Sequence, residues 1–321
     1  MPIDLKEHSE RVVKAMIDGR VVPFLGVGIN LCGRSPNKKW RQGQSSYLPT
    51  SSELTKHLQK TFEVPVDKLE DLVQVSQYIA DTAGTRRLYE ELHKLFGGDF
   101  PPTLLHCFFA RLPALLRAKA QGPLYQLIVT TNFDDLLERA FEAEREPYDV
   151  VSYVAEGEHT GKFVHRAPDD KVYVIEKPNE YHGLSIDQRT VLLKIHGAID
   201  RATPKHDSFV ITEDHYINFL MRTDLSNLVP VILAAKLRKS HFLFLGYNLR
   251  DWNLRIILHR IWGEQKLTHK SWSIQSNPQE LEQRFWTKRD VDVIDVSLED
   301  YITELNSRLE TPVTSGGHHE Q

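Results

Sequence analysis

Four short segments hold the residue types that could handle a ligand. Gly26-Val27-Gly28 follows the apolar run Val21–Leu25, and Asn132 and Asp134 follow the run 126–130. His196 follows 191–195, and Gly246, Asn248 and Asp251 follow His241–Leu245. A glycine pair after a strand lets backbone amides come close to a pyrophosphate. Without the third glycine of a GxGxxG pattern, a tight turn that holds no ligand fits the same residues. His196 alone is either a general base, with an ordinary pKa of about 6.5, or a satisfied core histidine. Asn132 and Asp134 either serve a ligand or cap the helix that begins at Leu136. Arg34, Lys38, Lys39 and Arg41 form a basic cluster that reads as a solvated loop, a phosphate-facing loop or a nucleic-acid patch. The formal charge of -4 leaves little attraction for nucleic acid, so such a partner is not indicated.

The elements that must position these residues alternate. Residues 4–19 carry Val12, Val13 and Met16 at helical spacing and end at a glycine, which predicts an amphipathic helix. Strands are expected at Val21–Leu25, 126–130, 191–195, His241–Leu245 and 272–275, each entering small or polar residues. Helical periodicity fills 50–117, and returns at 214–219, 229–237, 251–262 and 297–309. Alternation of this kind implies an α/β, Rossmann-like, doubly wound and mostly parallel sheet. Ligands bind such a sheet outside the carboxyl ends of its strands, where the four segments fall. The expected domain is one catalytic unit over 1–310, with a helical insertion at about 50–117 and a small β excursion at about 148–178. The polar stretch 31–49 reads as a mobile loop and 311–321 as a disordered tail. The run 105–116 is more apolar than one amphipathic face requires, so it either packs against the sheet or mediates subunit contacts.

With 321 residues and 40% hydrophobic composition the chain can bury a full core. No stretch approaches the roughly 18 to 20 apolar residues of a membrane span, and the N-terminus is charged where a signal peptide is apolar. A cytoplasmic protein is expected. The two cysteines, Cys32 and Cys107, can build neither a disulfide framework nor a four-thiolate zinc site, so no metal is expected.

The order G-x-G, T-N-x-D, H-G, G-Y-N-L-x-D resembles the sirtuin superfamily, and most closely the zinc-free, sirtuin-like NAD hydrolases of bacterial anti-phage defence. The matching segments are P-F-L-G-V-G from Pro23, T-T-N-F-D-D-L-L-E from Thr130, K-I-H-G from Lys194 and F-L-G-Y-N-L-R-D from Phe244. The resemblance implies that Gly26, Gly28, Asn30 and Arg34 contact the dinucleotide and that Asn132 holds the ribose beside the nicotinamide. It places Asp134 near the nicotinamide carboxamide, makes His196 the catalytic base, and sets Gly246, Asn248 and Asp251 at the adenosine half. Asn30 stands where a serine is common, and the segment after Gly33 lacks a clean copy of the sirtuin cofactor loop. The four-cysteine zinc module of deacetylases is missing, which disfavours deacetylation.

What the resemblance implies is hydrolysis of NAD to nicotinamide and ADP-ribose, with NAD as substrate. Alternatives are a non-catalytic NAD or ADP-ribose sensor, or a zinc-free sirtuin-type ADP-ribosyltransferase or deacylase. Constitutive cleavage would kill the host, so gating by assembly or by a partner is implied. A chain ending near residue 321 favours a homo-oligomer or a separately encoded HerA-type ATPase, either of which would order 31–49 over the pocket.

Overall fold

The computed structural model describes residues 4–35, 37–65, 71–119, 125–221, 228–247 and 269–310. The expected helix at 251–262 and the tail 311–321 lie outside the described residues.

The chain opens with α1 (Leu5–Ile17), capped by the Asp4 carboxylate, which accepts from the Lys6 amide at 2.9 Å. Strand β1 (Val21–Leu25) follows. Four helices come next: α2 (Ser51–Thr61), α3 (Leu72–Ala83), α4 (Thr85–Phe96) and α5 (Leu104–Lys119). Strand β2 (Leu127–Thr130), helix α6 (Leu136–Glu144) and strands β3 (Tyr148–Tyr153), β4 (Phe163–Arg166), β5 (Val172–Ile175) and β6 (Thr190–Lys194) continue the fold. It ends with α7 (Glu213–Met221), α8 (Val231–Arg238), β7 (His241–Leu245), β8 (Ser271–Gln275), α9 (Glu280–Thr287), β9 (Val291–Asp295) and α10 (Leu298–Glu310).

The nine strands among the described residues form one sheet in the order β5-β4-β3-β6-β2-β1-β7-β8-β9, parallel except at β4 and β5. The Rossmann-like α/β architecture is therefore as expected. One half of the sheet extends from β1 through β2, β6 and β3, with β6 entering between the earlier strands β2 and β3, and the chain then crosses to β1's other side with β7. The crevice at a switch point of this kind is where open α/β sheets take ligands. Pro23 has no amide to give a ladder, and β2 registers with β1 only beyond it, at Phe24 and Leu25.

Strand alternation divides the interior. Val22, Phe24, Val129, Leu193 and Phe244 enter one core, with α8 and Trp286 of α9. Val21, Leu25, Ile128, Leu192 and Leu243 enter the other, with α1, α5, α6 and α10. Residues next to one another on a strand thus serve opposite faces, which is why both can be apolar. A third core lies among α2, α3 and α4 and reaches Leu136, Ile199, Phe209 and Ile211.

Two expectations change. Within 50–117 only α2, α3 and α4 stand apart, because Leu105, Phe108, Phe109, Leu112 and Leu116 of α5 are buried in the sheet's own core. Packing inside the chain accounts for that apolar run. The 148–178 segment is not a separate excursion: β3 pairs in parallel with β6 and extends the main sheet, and β4 and β5 close its edge. Helix α9 and strand β9 were not expected, since Asp292 and Asp295 break the apolar pattern of β9. Among the described residues no helix is long and apolar enough to cross a membrane.

Candidate active site

A cavity of about 1010 Å³ lies over the carboxyl ends of β1, β2, β6, β7 and β8. Gly28, Asn30, Asn132, Asp134, His196 and Gly246 all line it, so residues up to 218 positions apart in the chain meet in one space. Gly26 lies just behind the wall, with its carbonyl accepting from Asn132 Nδ2 at 3.3 Å. Asn248 and Asp251 lie outside the described residues.

The glycine loop turns directly after β1 into a short 3-10 helix, Val27–Leu31. Its close partner is the end of β7. A Cβ on Gly28 would stand 2.7 Å from the Gly246 Cα, and one on Gly26 would stand 2.7 Å from the Gly246 carbonyl oxygen. Gly246 itself has φ +75°, and a Cβ there would meet the Ile29 amide nitrogen at 2.6 Å. The amides of Gly26 and Gly28 donate to the carbonyls of Leu245 and Gly246, each at 2.9 Å, and that of Ile29 to Gly26 at 3.1 Å. The Gly26 and Gly28 amides thus join the two strand ends and the Ile29 amide closes the loop, so these three donors are not held open for a pyrophosphate. The glycines serve backbone-to-backbone packing.

Asn132 is held from both sides. Its backbone amide donates to Thr130 Oγ1 at 3.0 Å, and its side-chain NH₂ donates to the Gly26 carbonyl. Asp134 is deeply buried. One of its oxygens accepts from Asn30 Nδ2 at 2.7 Å, and the other accepts from the Leu136 amide at 3.2 Å, the capping contact anticipated for this helix. Burial raises the carboxyl pKa above its ordinary value, against the opposing charge of Lys194 and the hydrogen bonds from Asn30 and Leu136.

His196 ends β6 as the chain turns at Gly197, whose φ of +88° and 2.1 Å approach to the Ser208 carbonyl oxygen leave no room for a Cβ. The imidazole is 4% exposed and has Tyr216 and Phe219 edge-on at centroid distances of 5.4 and 5.8 Å. Its Nε2 has no hydrogen-bond partner. Burial lowers its pKa to about 3, which corrects the ordinary value expected from sequence. Near neutral pH the ring is uncharged.

Arg34 does not line the cavity. Its guanidinium donates to Glu53 at 2.8 Å and to the Lys38 carbonyl at 2.7 Å, and lies 4.3 Å from the Tyr47 ring centroid. Glu53 also accepts from the Trp40 amide and closes the capping box of α2 with Thr50. This joint anchors the 31–49 stretch to α2, where a mobile loop was expected.

Sequence reasoning missed the buried pair Lys194–Glu138, 2.6 Å apart, with Lys194 Nζ also on the Asp134 carbonyl. The pair ties the T-T-N-F-D-D-L-L-E segment to K-I-H-G. A lysine inside the apolar run V-L-L-K-I was the available signal, because a buried charge requires a partner. Also missed was Tyr247, whose hydroxyl donates to the Leu25 carbonyl at 3.0 Å from the cavity wall. At the end of β8, both amide atoms of Gln275 are buried at the cavity with no partner.

A family profile described as SIR2-like domain matches residues 126–294. The chain is 28% identical over 255 residues to the NAD(+) hydrolase ThsA of Acinetobacter baumannii (strain 532279), covering 78% of this chain and 41% of that protein. It is 23% identical over 261 residues to the NAD(+) hydrolase ThsA of Cytobacillus dafuensis, covering 81% and 42%. It is 22% identical over 281 residues to the defense-associated sirtuin 2 of Bacillus subtilis, covering 86% and 23%. The chain thus spans less than half the length of each of these relatives.

Proposed function

The chain belongs to the SIR2-like domain family, and from that premise we propose that it cleaves the nicotinamide–ribose bond of NAD to give nicotinamide and ADP-ribose, as an NAD-depleting effector of anti-phage defence. The observation that carries this reading is the convergence of Asn132, His196 and the Asn30–Asp134 pair on one cavity, with His196 Nε2 and Asn30 Oδ1 buried there and unpartnered. Buried polar atoms without partners are rare in folded proteins, and a polar ligand would satisfy them.

The nicotinamide of NAD is already a pyridinium and leaves as a neutral base, so no acid is needed for its departure. The protein's work is to hold the ribose, to stabilise an oxocarbenium-like transition state and to aim a water. Asn132, neutral and fixed through Gly26, suits the ribose or the water. A charged imidazolium beside a developing cation would be unfavourable, and the desolvated site of His196 disfavours it. His196 therefore acts as a neutral acceptor: its Nε2 orients the water and takes the proton as the new C–O bond forms and the water becomes acidic. Gly246 and, outside the described residues, Asn248 and Asp251 fall to the adenosine half.

We further propose that activity is gated by self-assembly or by an ATPase partner of the HerA type. The Arg34–Glu53 joint supports this, since it links the stretch bordering the cavity to α2. Arg34 is then a strut for the cofactor-side loop rather than a direct ligand contact.

Incubating the purified protein with NAD and separating the products tests the activity. Nicotinamide released without any acceptor is the expected result. No release points to a sensor, and release that requires an acceptor points to a transferase. Activity and light scattering measured across one dilution series test the gating, which fails if a stable monomer is fully active.

A further inference from the structure

We propose that Asn30 is a specificity-determining residue: its Oδ1 accepts a hydrogen bond from an N–H or O–H on the nicotinamide half of the ligand and rejects a ligand that places an anionic oxygen there. The inference rests on the NAD reading above and names what that site selects.

The argument begins at Asp134. Both oxygens of Asp134 accept hydrogen bonds, Oδ2 from Asn30 Nδ2 and Oδ1 from the Leu136 amide. The carboxamide of Asn30 is thereby oriented with its NH₂ on Asp134. With the NH₂ spent on Asp134, Oδ1 must face away from it. That atom is buried and has no partner, on a residue 4% exposed in the cavity wall.

Asp134 is itself held in place. Lys194 Nζ binds its main-chain carbonyl and is anchored by Glu138, 2.6 Å away. The chain Glu138–Lys194–Asp134–Asn30 thus transmits a fixed orientation to one acceptor atom. A buried acceptor without a donor is costly, and a ligand donor recovers that cost. The resemblance implies Asp134 as the carboxylate beside the nicotinamide carboxamide. In this geometry Asp134 stands one residue back, as the positioning residue, and Asn30 presents the acceptor.

Two donors of NAD have the required chemistry, the carboxamide NH₂ and a hydroxyl of the adjoining ribose. With the carboxamide NH₂ as the donor, nicotinic acid adenine dinucleotide is disfavoured, because its carboxylate sets an anionic oxygen against Oδ1. Sites that supply a specific hydrogen-bonding atom discriminate strongly against ligands that leave it unpaired.

The test is calorimetric binding to the full chain in a His196→Ala background, which keeps the ligands intact during titration. The ligands are NAD, nicotinic acid adenine dinucleotide, 3-acetylpyridine adenine dinucleotide, which lacks the amide N–H, and an NAD lacking the 2′-hydroxyl of the nicotinamide ribose. NAD is expected to bind about tenfold or more tighter than the acid. One of the two donor-lacking analogues should bind about three- to tenfold more weakly than NAD, and which one does so identifies the donor.

Asn30→Ala should bring these ratios to within about threefold. Asp134→Asn, nearly isosteric, frees the Asn30 amide to turn and should also reduce the preference for NAD over the acid. If Asn30→Ala does not melt cooperatively, Asp134→Asn decides. A folded Asn30→Ala or Asp134→Asn protein that keeps the full preference overturns the assignment, as does the absence of any preference before either substitution. Should the unsubstituted chain bind selectively yet release no nicotinamide, the NAD-cleavage reading falls and Asn30's role stands. Should it cleave NAD and its acid alike, the reverse holds.

Discussion

His165 and His196 are buried almost equally, at 1% and 4% exposed, yet their surroundings differ. His165, on β4, bonds Asp149 Oδ1 through Nε2 at 2.9 Å and the Tyr181 hydroxyl through Nδ1 at 2.6 Å. Asp149 is completed by Arg189 Nε at 2.8 Å. Both ring nitrogens are used, and the cluster closes on itself. His196 lines the cavity among aromatic edges, and its Nε2 is buried with no hydrogen-bond partner. A histidine beside an aspartate and a tyrosine looks like machinery when seen as a set of residue types. Here that set is a clamp between β3, β4 and the segment leading to β6, and the isolated histidine is the one we propose meets a ligand. Unmet hydrogen-bonding capacity separates the two roles better than residue identity does.

The sharpest way to break this contrast is at His196. His196→Ala and Asn132→Ala should each lower nicotinamide release by about 100- to 10,000-fold, with the melting temperature nearly unchanged because neither removal strands a buried charge. A folded His196→Ala protein that cleaves NAD at the original rate would end the distinction. The mirror experiment is His165→Ala. Breaking a buried charged contact costs about 3 kcal/mol, at the low end because Arg189 still holds Asp149. Urea unfolding should show that loss, while nicotinamide release per folded molecule stays as before. A selective loss of activity would mean that the clamp is misjudged.

The smallest effect is on acid stability. Burial lowers the pKa values of His8, His106 and His196 to about 4, 3 and 3. Below about 6.5 the unfolded chain binds protons at these histidines that the folded chain does not. Stability is therefore lost as pH falls from about 6.5 toward these folded values, and is fully present above. From pH 7 to pH 5 each group should cost about 1–2 kcal/mol. Glu53, held down to about 2 by the Arg34 guanidinium, loses its contribution only below about 4.5, outside that interval. Thermal melts at the two pH values measure the slope, and His196→Ala should flatten part of it. An unchanged slope would mean that His196 is hydrated rather than desolvated.

The sequence made the strand ends legible because each apolar run breaks into glycine or a polar residue, and a parallel sheet gathers such breaks at one edge. It therefore located Gly28, Asn30, Asn132, Asp134, His196 and Gly246 around one cavity. Pairings were not legible. Asn30 and Asp134 are 104 positions apart, and nothing local in either segment announces the other. The low basicity of His196 also depends on Tyr216 and Phe219, contributed by α7. Arg34 looked like a phosphate ligand for want of any local sign that Glu53 would claim it. In β9 the alternation of aspartate with valine and isoleucine reads as a polar segment, although only the edge of the sheet, beside β8, asks for a strand there.

The contact between the glycine loop and the end of β7 restricts how this chain can vary over evolutionary time. At Gly26, Gly28 and Gly246 an added methyl would meet backbone or backbone-bound atoms, which no rotamer change elsewhere can move aside. Every single-step codon change away from glycine adds at least that methyl. The three positions behave as one inherited unit, in which a first substitution is penalised before any second can compensate, so the lineage can redesign the walls of the cavity far more readily than the seam on which it rests.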